Sequence, residues 1–243
     1  MSNAPLERPD TALAIGAHAD DIEFGCGGTL AKWSAEGTTV HLAVLTDGSK
    51  GSWNADEDLD ALIKLRKEEQ SRAAEVLGAH ALHHLEYVDG ELENGKEERQ
   101  AVVALIREVR PDVILSHDPW KKYRLHPDHS AAGNITIGAI VAARDPHFFP
   151  TQGTPHRPTA LLLFEAEEKD HYEPIDEAHF NAKLKALLCH RSQWRSTLGI
   201  EEGTDREHDQ LTAFAERQRN EAEAAGERRN LKLAEGFKLV SDL

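Results

Sequence analysis

Apolar residues along the chain gather into short runs, separated by longer stretches with helical spacing. Thr11–His18 is a compact apolar run ending in polar residues, and Thr38–Thr46 is a second run rich in β-branched side chains; both read as strands. Ala81–Val88, Asp112–His117 and Thr159–Ala166 repeat that pattern. Between them, Gly28–Glu36, Leu59–Leu77, Glu97–Val109 and Pro127–Ala143 read as helices, with Gly37 and Gly78 as stops. Asp47–Asp56 and Asp145–Pro158 carry the composition of loops. Beyond these, the chain reads as largely helical and highly charged. The expected organisation is one domain over residues 1–243, with a core at about 11–200 and a helical charged tail at about 201–243.

Strands alternating with helices predict an α/β fold, a mostly parallel Rossmann-like sheet with helices on both faces. Sites in such sheets lie beyond the carboxyl ends of the strands, near a switch in strand order. Both stretches with concentrated chemistry begin where a strand ends. The first is His18-Ala19-Asp20-Asp21; the second runs from Ser116-His117-Asp118-Pro119 to His126-Pro127-Asp128-His129, which opens a helix.

Imidazole and carboxylate are both zinc ligands, and two adjacent acids divide naturally into one that binds a cation and one that takes a proton from water. Gly25, Gly27 and Gly28 suggest a dinucleotide loop, but that fingerprint needs glycines immediately after the strand, where His and two Asp stand here. His126 and His129 are three apart at a helix start, so both can face one region, and Pro127 suits a first helical position. A catalytic zinc keeps three protein ligands and one open position. His18, Asp21 and one of His126 or His129 fill three places, leaving the other histidine free to donate a proton. Asp128 and His117 are candidates for orienting the ligands from behind.

Composition narrows the partners. The chain has 43 acidic against 28 basic side chains, a net charge of −15, which repels a polyanion and argues against nucleic acid. No apolar run approaches the roughly 20 residues needed to cross a bilayer, and polar Met1–Asp10 shows no secretion signal. Cys26 and Cys189 read as reduced thiols of a cytoplasmic protein. Of the remaining histidines, His41 reads as structural, His83 and His84 point to opposite faces of a strand, and His147 and His156 are candidates for lining a cleft.

The stretch AHADDIEFGCGGTLAKW, followed by LTDGSKGSW, RKEEQSRAAEVLG, HPDHSAAG and HRSQ, resembles the PIG-L/LmbE-like family of zinc-dependent N-acetylglucosaminyl deacetylases over roughly residues 11–195. The resemblance implies that His18, Asp21 and His129 bind zinc, with another divalent transition metal as the variant. It implies that Asp20 is the general base, that His126 stabilises the oxyanion or protonates the amine, and that Arg66 lies near the substrate. His190, in HRSQ, is implied in a supporting role. Ala19 stands where the family usually has proline. The implied substrate is a small N-acetylated sugar or conjugate, with another amide, such as a thiol-sugar conjugate or antibiotic intermediate, as the alternative. Members of the family often form trimers or hexamers, so a homo-oligomer is expected.

Overall fold

The computed structural model describes residues 6–243; the first half of the polar stretch Met1–Asp10 lies outside them. The chain forms β1 (Thr11–Gly16), α1 (Asp21–Ala35), β2 (Thr39–Thr46), α2 (Leu59–Val76), β3 (Ala81–Tyr87), α3 (Lys96–Val109), β4 (Val113–His117) and α4 (Pro127–Ala143). It continues through β5 (Ala160–Phe164), β6 (His171–Ile175), α5 (Glu177–Leu188), α6 (Glu207–Glu227) and β7 (Leu233–Ser241). The strands make one seven-stranded sheet in the order β3-β2-β1-β4-β5-β7-β6. The first five strands pair in parallel, and β7 runs antiparallel to both β5 and β6. This is the expected α/β sheet with helices packed on it.

Alternation along the strands builds two apolar layers. Leu13 and Ile15 of β1 join Ala43 and Leu45 of β2 on one face, where α3 and α4 cover them with Val102, Ile106, Ile135 and Ala139. Ala12 and Ala14 point the other way, with Val40 and Leu42, into Ile22, Leu30 and Trp33 of α1. Buried on both faces, the central parallel strands β1, β4 and β5 show as largely apolar runs, which is why they are readable in the sequence, whereas the edge strand β3 is only partly buried. No described helix is long and apolar enough to cross a membrane.

Two differences from the sequence expectation stand out. The tail is not helical throughout: β7 enters the sheet between β5 and β6, and β6 also falls in the stretch read as helical. Both strands pair antiparallel; β6 carries Glu173 and Pro174, and β7 carries Glu235, Gly236 and Lys238, so neither shows the apolar run of a buried parallel strand. Helix α1 starts at Asp21 rather than Gly28, with a break at Cys26 (φ −153°). The break frees the amides of Gly28 and Thr29, and both donate to the Glu235 carboxylate of β7, at 3.1 and 2.7 Å. Lys183 of α5 donates to that carboxylate and to the Phe24 carbonyl, so the tail strand repairs the helix that carries Asp21.

The strand order places β1 beside β4, and the chain departs from these two in opposite directions across the sheet. That is the topological switch point, and His18, Asp20 and Asp21 leave β1 there while His117 ends β4. Helix α4 is drawn tightly over the end of β4: a methyl group at Gly133 would sit 2.5 Å from the His117 carbonyl oxygen. Gly133→Ala gains about 1 kcal/mol of helix propensity, but displacing packed backbone costs about 1–3 kcal/mol. We expect net destabilisation, seen in thermal melting as a Tm lowered by a few degrees; an unchanged or raised Tm would show that α4 does not press on this carbonyl.

Candidate metal and catalytic centre

Four carboxylates and four imidazoles meet at the switch point. Asp21 begins α1, and its carboxylate is the hub: Oδ1 lies 3.2 Å from His129 Nε2, and Oδ2 lies 3.1 Å from His117 Nε2 and 3.4 Å from His18 Nδ1. Its Oδ2 also accepts the His18 amide at 2.7 Å, which closes the loop back onto the helix start. The ligand atoms of Asp21, His117 and His129 lie within 4.8 Å of one another, as do those of His18, His126 and His129. Both His18 and His129 thus face the Asp21 carboxylate. Burial alone would raise the Asp21 pKa, but His117 and His129 outweigh it and hold the carboxyl well below its usual range.

The far nitrogen of His18 is held from behind. Nε2 lies 3.1 Å from both Asp128 Oδ2 and Asp89 Oδ1. Asp128 is fully buried and also accepts the amides of Gly90 (2.7 Å) and Leu92 (3.3 Å). Its oxygens are therefore committed to protein donors, which suits an orienting group better than a metal ligand. Asp89 likewise accepts the Lys50 amide. Burial disfavours charge on His18, yet Asp128, Asp21 and Asp89 outweigh it and raise its pKa well above the ordinary value.

Asp20 occupies a left-handed backbone conformation (φ 95°) that costs a non-glycine residue on the order of 1–3 kcal/mol. It is buried, and its carboxyl pKa is pushed up to about 6, chiefly by burial; Arg66 opposes the shift and Asp21 adds to it. Arg66 is not an exposed helix residue. It is buried, with Nη2 donating to the Ala19 carbonyl (2.9 Å) and Nη1 to the Gly48 carbonyl (3.0 Å). The guanidinium thus ties the β1 and β2 loops together, and it braces the turn at Ala19 where a proline ring is usual in the family.

His126 is the N-cap residue of α4 and is exposed at the mouth, its ring 4.5 Å from that of His18 and 5.1 Å from that of His129. Partial burial and then the neighbouring His18 and His129 hold its pKa below the ordinary histidine value. This favours the neutral imidazole, whose N–H can still donate a hydrogen bond.

His117 is fully enclosed between Asp21 and Glu165, whose Oε2 is 3.4 Å from His117 Nδ1 and 3.0 Å from Arg124 Nη2. Burial opposes ionisation of Glu165, but His117 and Arg124 overcome it and bring its pKa down to about 2. Asp89, Glu165 and Arg124 are absent from the sequence reading. Asp89 and Glu165 each follow a strand end, so the strand-end rule carried a signal for both. By contrast, His156 bonds the Pro111 carbonyl (2.8 Å) before β4, at the opposite end of the sheet, and does not line the centre. His147 lies beyond the far end of α4.

Donor chemistry fits a divalent cation. Asp20, Asp21, Asp89 and Asp128 converge beside His18, His126 and His129, with Arg66 as the guanidinium facing them. Neutral imidazoles and an anionic carboxylate are the donors that zinc and its neighbours take. Three overlapping sets of donor atoms converge closely enough to hold an ion: His18/His126/His129, Asp21/His117/His129 and His18/Asp89/His126/Asp128.

The chain is similar to proteins of known activity. The family model of PIG-L, GlcNAc-PI de-N-acetylase, matches residues 13–140. Diacetylchitobiose deacetylase of Thermococcus kodakarensis is 34% identical over 196 residues, 79% of this chain and 73% of the relative. The 1D-myo-inositol 2-acetamido-2-deoxy-alpha-D-glucopyranoside deacetylase of Streptomyces avermitilis is 33% identical over 169 residues, 59% of this chain and 57% of the relative. Among solved structures, N,N'-diacetylchitobiose deacetylase of Pyrococcus horikoshii superposes with a TM-score of 0.86 at 27% identity, covering 98% of this chain and 86% of that one. With the motif order, the fold and the converging His/Asp cluster, these matches place the chain in the PIG-L family of N-deacetylases.

Proposed function

We propose that this protein is a zinc-dependent hydrolase that removes the acetyl group from an N-acetylglucosamine-type sugar or conjugate. One observation carries the reading: a buried carboxyl, Asp20, stands beside a His/Asp donor cluster without belonging to it. A passive metal site needs no such group. The relatives that act on diacetylchitobiose and on a 2-acetamido-2-deoxyglucoside support the choice of an acetamido sugar.

When bound by His18, Asp21 and His129, zinc or a similar divalent ion supplies positive charge that polarises the amide carbonyl and acidifies water. Asp20 takes the proton as the water oxygen attacks the acetyl carbon, and a carboxyl held near neutrality by burial is well matched to that task. The carbonyl π electrons move onto oxygen, where the His126 N–H donates a hydrogen bond to the developing oxyanion. Collapse breaks the C–N bond, the proton passes to nitrogen, and acetate and a free amine leave. Asp128 and Asp89 keep His18 aimed, and His117 does the same for Asp21. Arg66 serves the reaction by fixing the two loops it bridges.

Asp20→Asn should keep its metal and its fold while kcat falls by about 10²–10⁴-fold, read as acetate release from N-acetylglucosamine and diacetylchitobiose. Near-normal turnover with metal bound would remove Asp20 as the base. His126→Ala should lower kcat by roughly 10²–10³-fold with little change in metal content. A rise in KM alone would make His126 a binding group instead.

A further inference from the structure

Two sequence motifs remain outside the chemistry, RKEEQSR on α2 and HRSQ after α5, and the structure brings them together directly behind Asp20. Arg66, Glu69 and Gln70 share the inner face of α2 and are all buried. Glu69 accepts the amide and hydroxyl of Ser192 at 2.9 and 2.6 Å. Gln193 donates to the Gly51 carbonyl at 3.1 Å. His190, fully buried, has Nε2 3.6 Å from Glu23 Oε2.

At the centre of this cradle is Gln70, fully buried. Its Oε1 accepts the Asp20 amide at 3.1 Å, and its Nε2 donates to Glu23 Oε1 at 2.7 Å. A backbone N–H can only donate and a carboxylate can only accept, so these two partners force one orientation on the carboxamide. Glu23 lies on α1, one turn below Asp20, so the same side chain measures the loop against the helix. The φ of 95° at Asp20 is unfavourable by itself and persists where surroundings hold it. Gln70 holds the one donor that this conformation turns inward.

We propose that Gln70, with its amide oriented by Glu23, is a positioning residue that fixes the Asp20 backbone and so aims the catalytic carboxylate. The proposal rests on Asp20 being the base. A misplacement of about 1 Å can cost about 100-fold in rate without touching the chemistry. Removing the amide should therefore lower kcat and leave KM and metal content alone.

The test is Gln70→Met, which keeps length and helix propensity, assayed beside Asp20→Asn in the metal-loaded protein. The expected result is a fall in kcat of about 10–100-fold with KM within about twofold. A second readout needs no turnover: hydrogen exchange of the Asp20 amide in metal-free protein should speed up at least about tenfold, because its acceptor is gone. Should Gln70→Met fail to fold, Glu23→Leu and Glu23→Gln ask the same question. Glu23→Leu should lose kcat, and Glu23→Gln, which keeps an acceptor for the Gln70 amide, should restore most of it. Wild-type kcat and unchanged Asp20 exchange in Gln70→Met overturn the proposal while an inactive Asp20→Asn leaves the base assignment standing. An active Asp20→Asn overturns the base assignment itself.

Discussion

Burying negative charge is the constraint around which this molecule is arranged. Asp20, Asp21, Asp89 and Asp128 are brought to the junction of β1 and β4, where water is largely excluded. An isolated carboxylate is costly in such surroundings, and four together are tolerated only with opposing charge and donors. Every neighbouring feature answers that need. Asp128 takes two backbone amides, Asp89 takes another, Arg66 faces the group, and His18 is drawn toward the charged form. A divalent cation held by the His/Asp cluster would displace such a proton and supply positive charge in its place.

The scaffold spends its regular structure on aiming those groups. The parallel sheet delivers both clusters to one edge, the kinked α1 presents Asp20 and Asp21, and α4 presents His126 and His129. Support comes from distant parts of the chain: Glu235 of β7 and Lys183 of α5 mend the α1 break, and α2 braces Asp20. Asp20 and Asp21, adjacent in sequence, are thereby driven to opposite protonation behaviour. Burial dominates at Asp20, whereas the imidazoles dominate at Asp21. Under the proposed function, that divergence is what would separate a base from a ligand.

Much of this was readable in the residues. Strands β1, β2, β4 and β5 announce themselves because burial on both faces makes them largely apolar, and HADD at the end of β1 and HPDH at the start of α4 carry metal-binding side chains. Strands β6 and β7 were not readable, since they pair antiparallel and carry Glu173, Glu235 and Lys238 within them. The inner role of Arg66 was hidden for a related reason. A charged residue on a helix reads as exposed, and only the approach of two loop carbonyls, Ala19 and Gly48, explains its burial. Asp89 could have been found from its place after a strand, but its contact with His18 spans 71 positions of sequence and depends on the sheet order.

The most direct test of the account is calorimetric titration of metal-stripped protein with zinc, comparing the natural chain with His129→Ala. One ion per chain should bind tightly to the natural protein, and the loss of an inner ligand should weaken that binding by about 100-fold or more. Absence of stoichiometric binding in the natural chain, or equal affinity in His129→Ala, would contradict the assignment of this cluster as the metal centre.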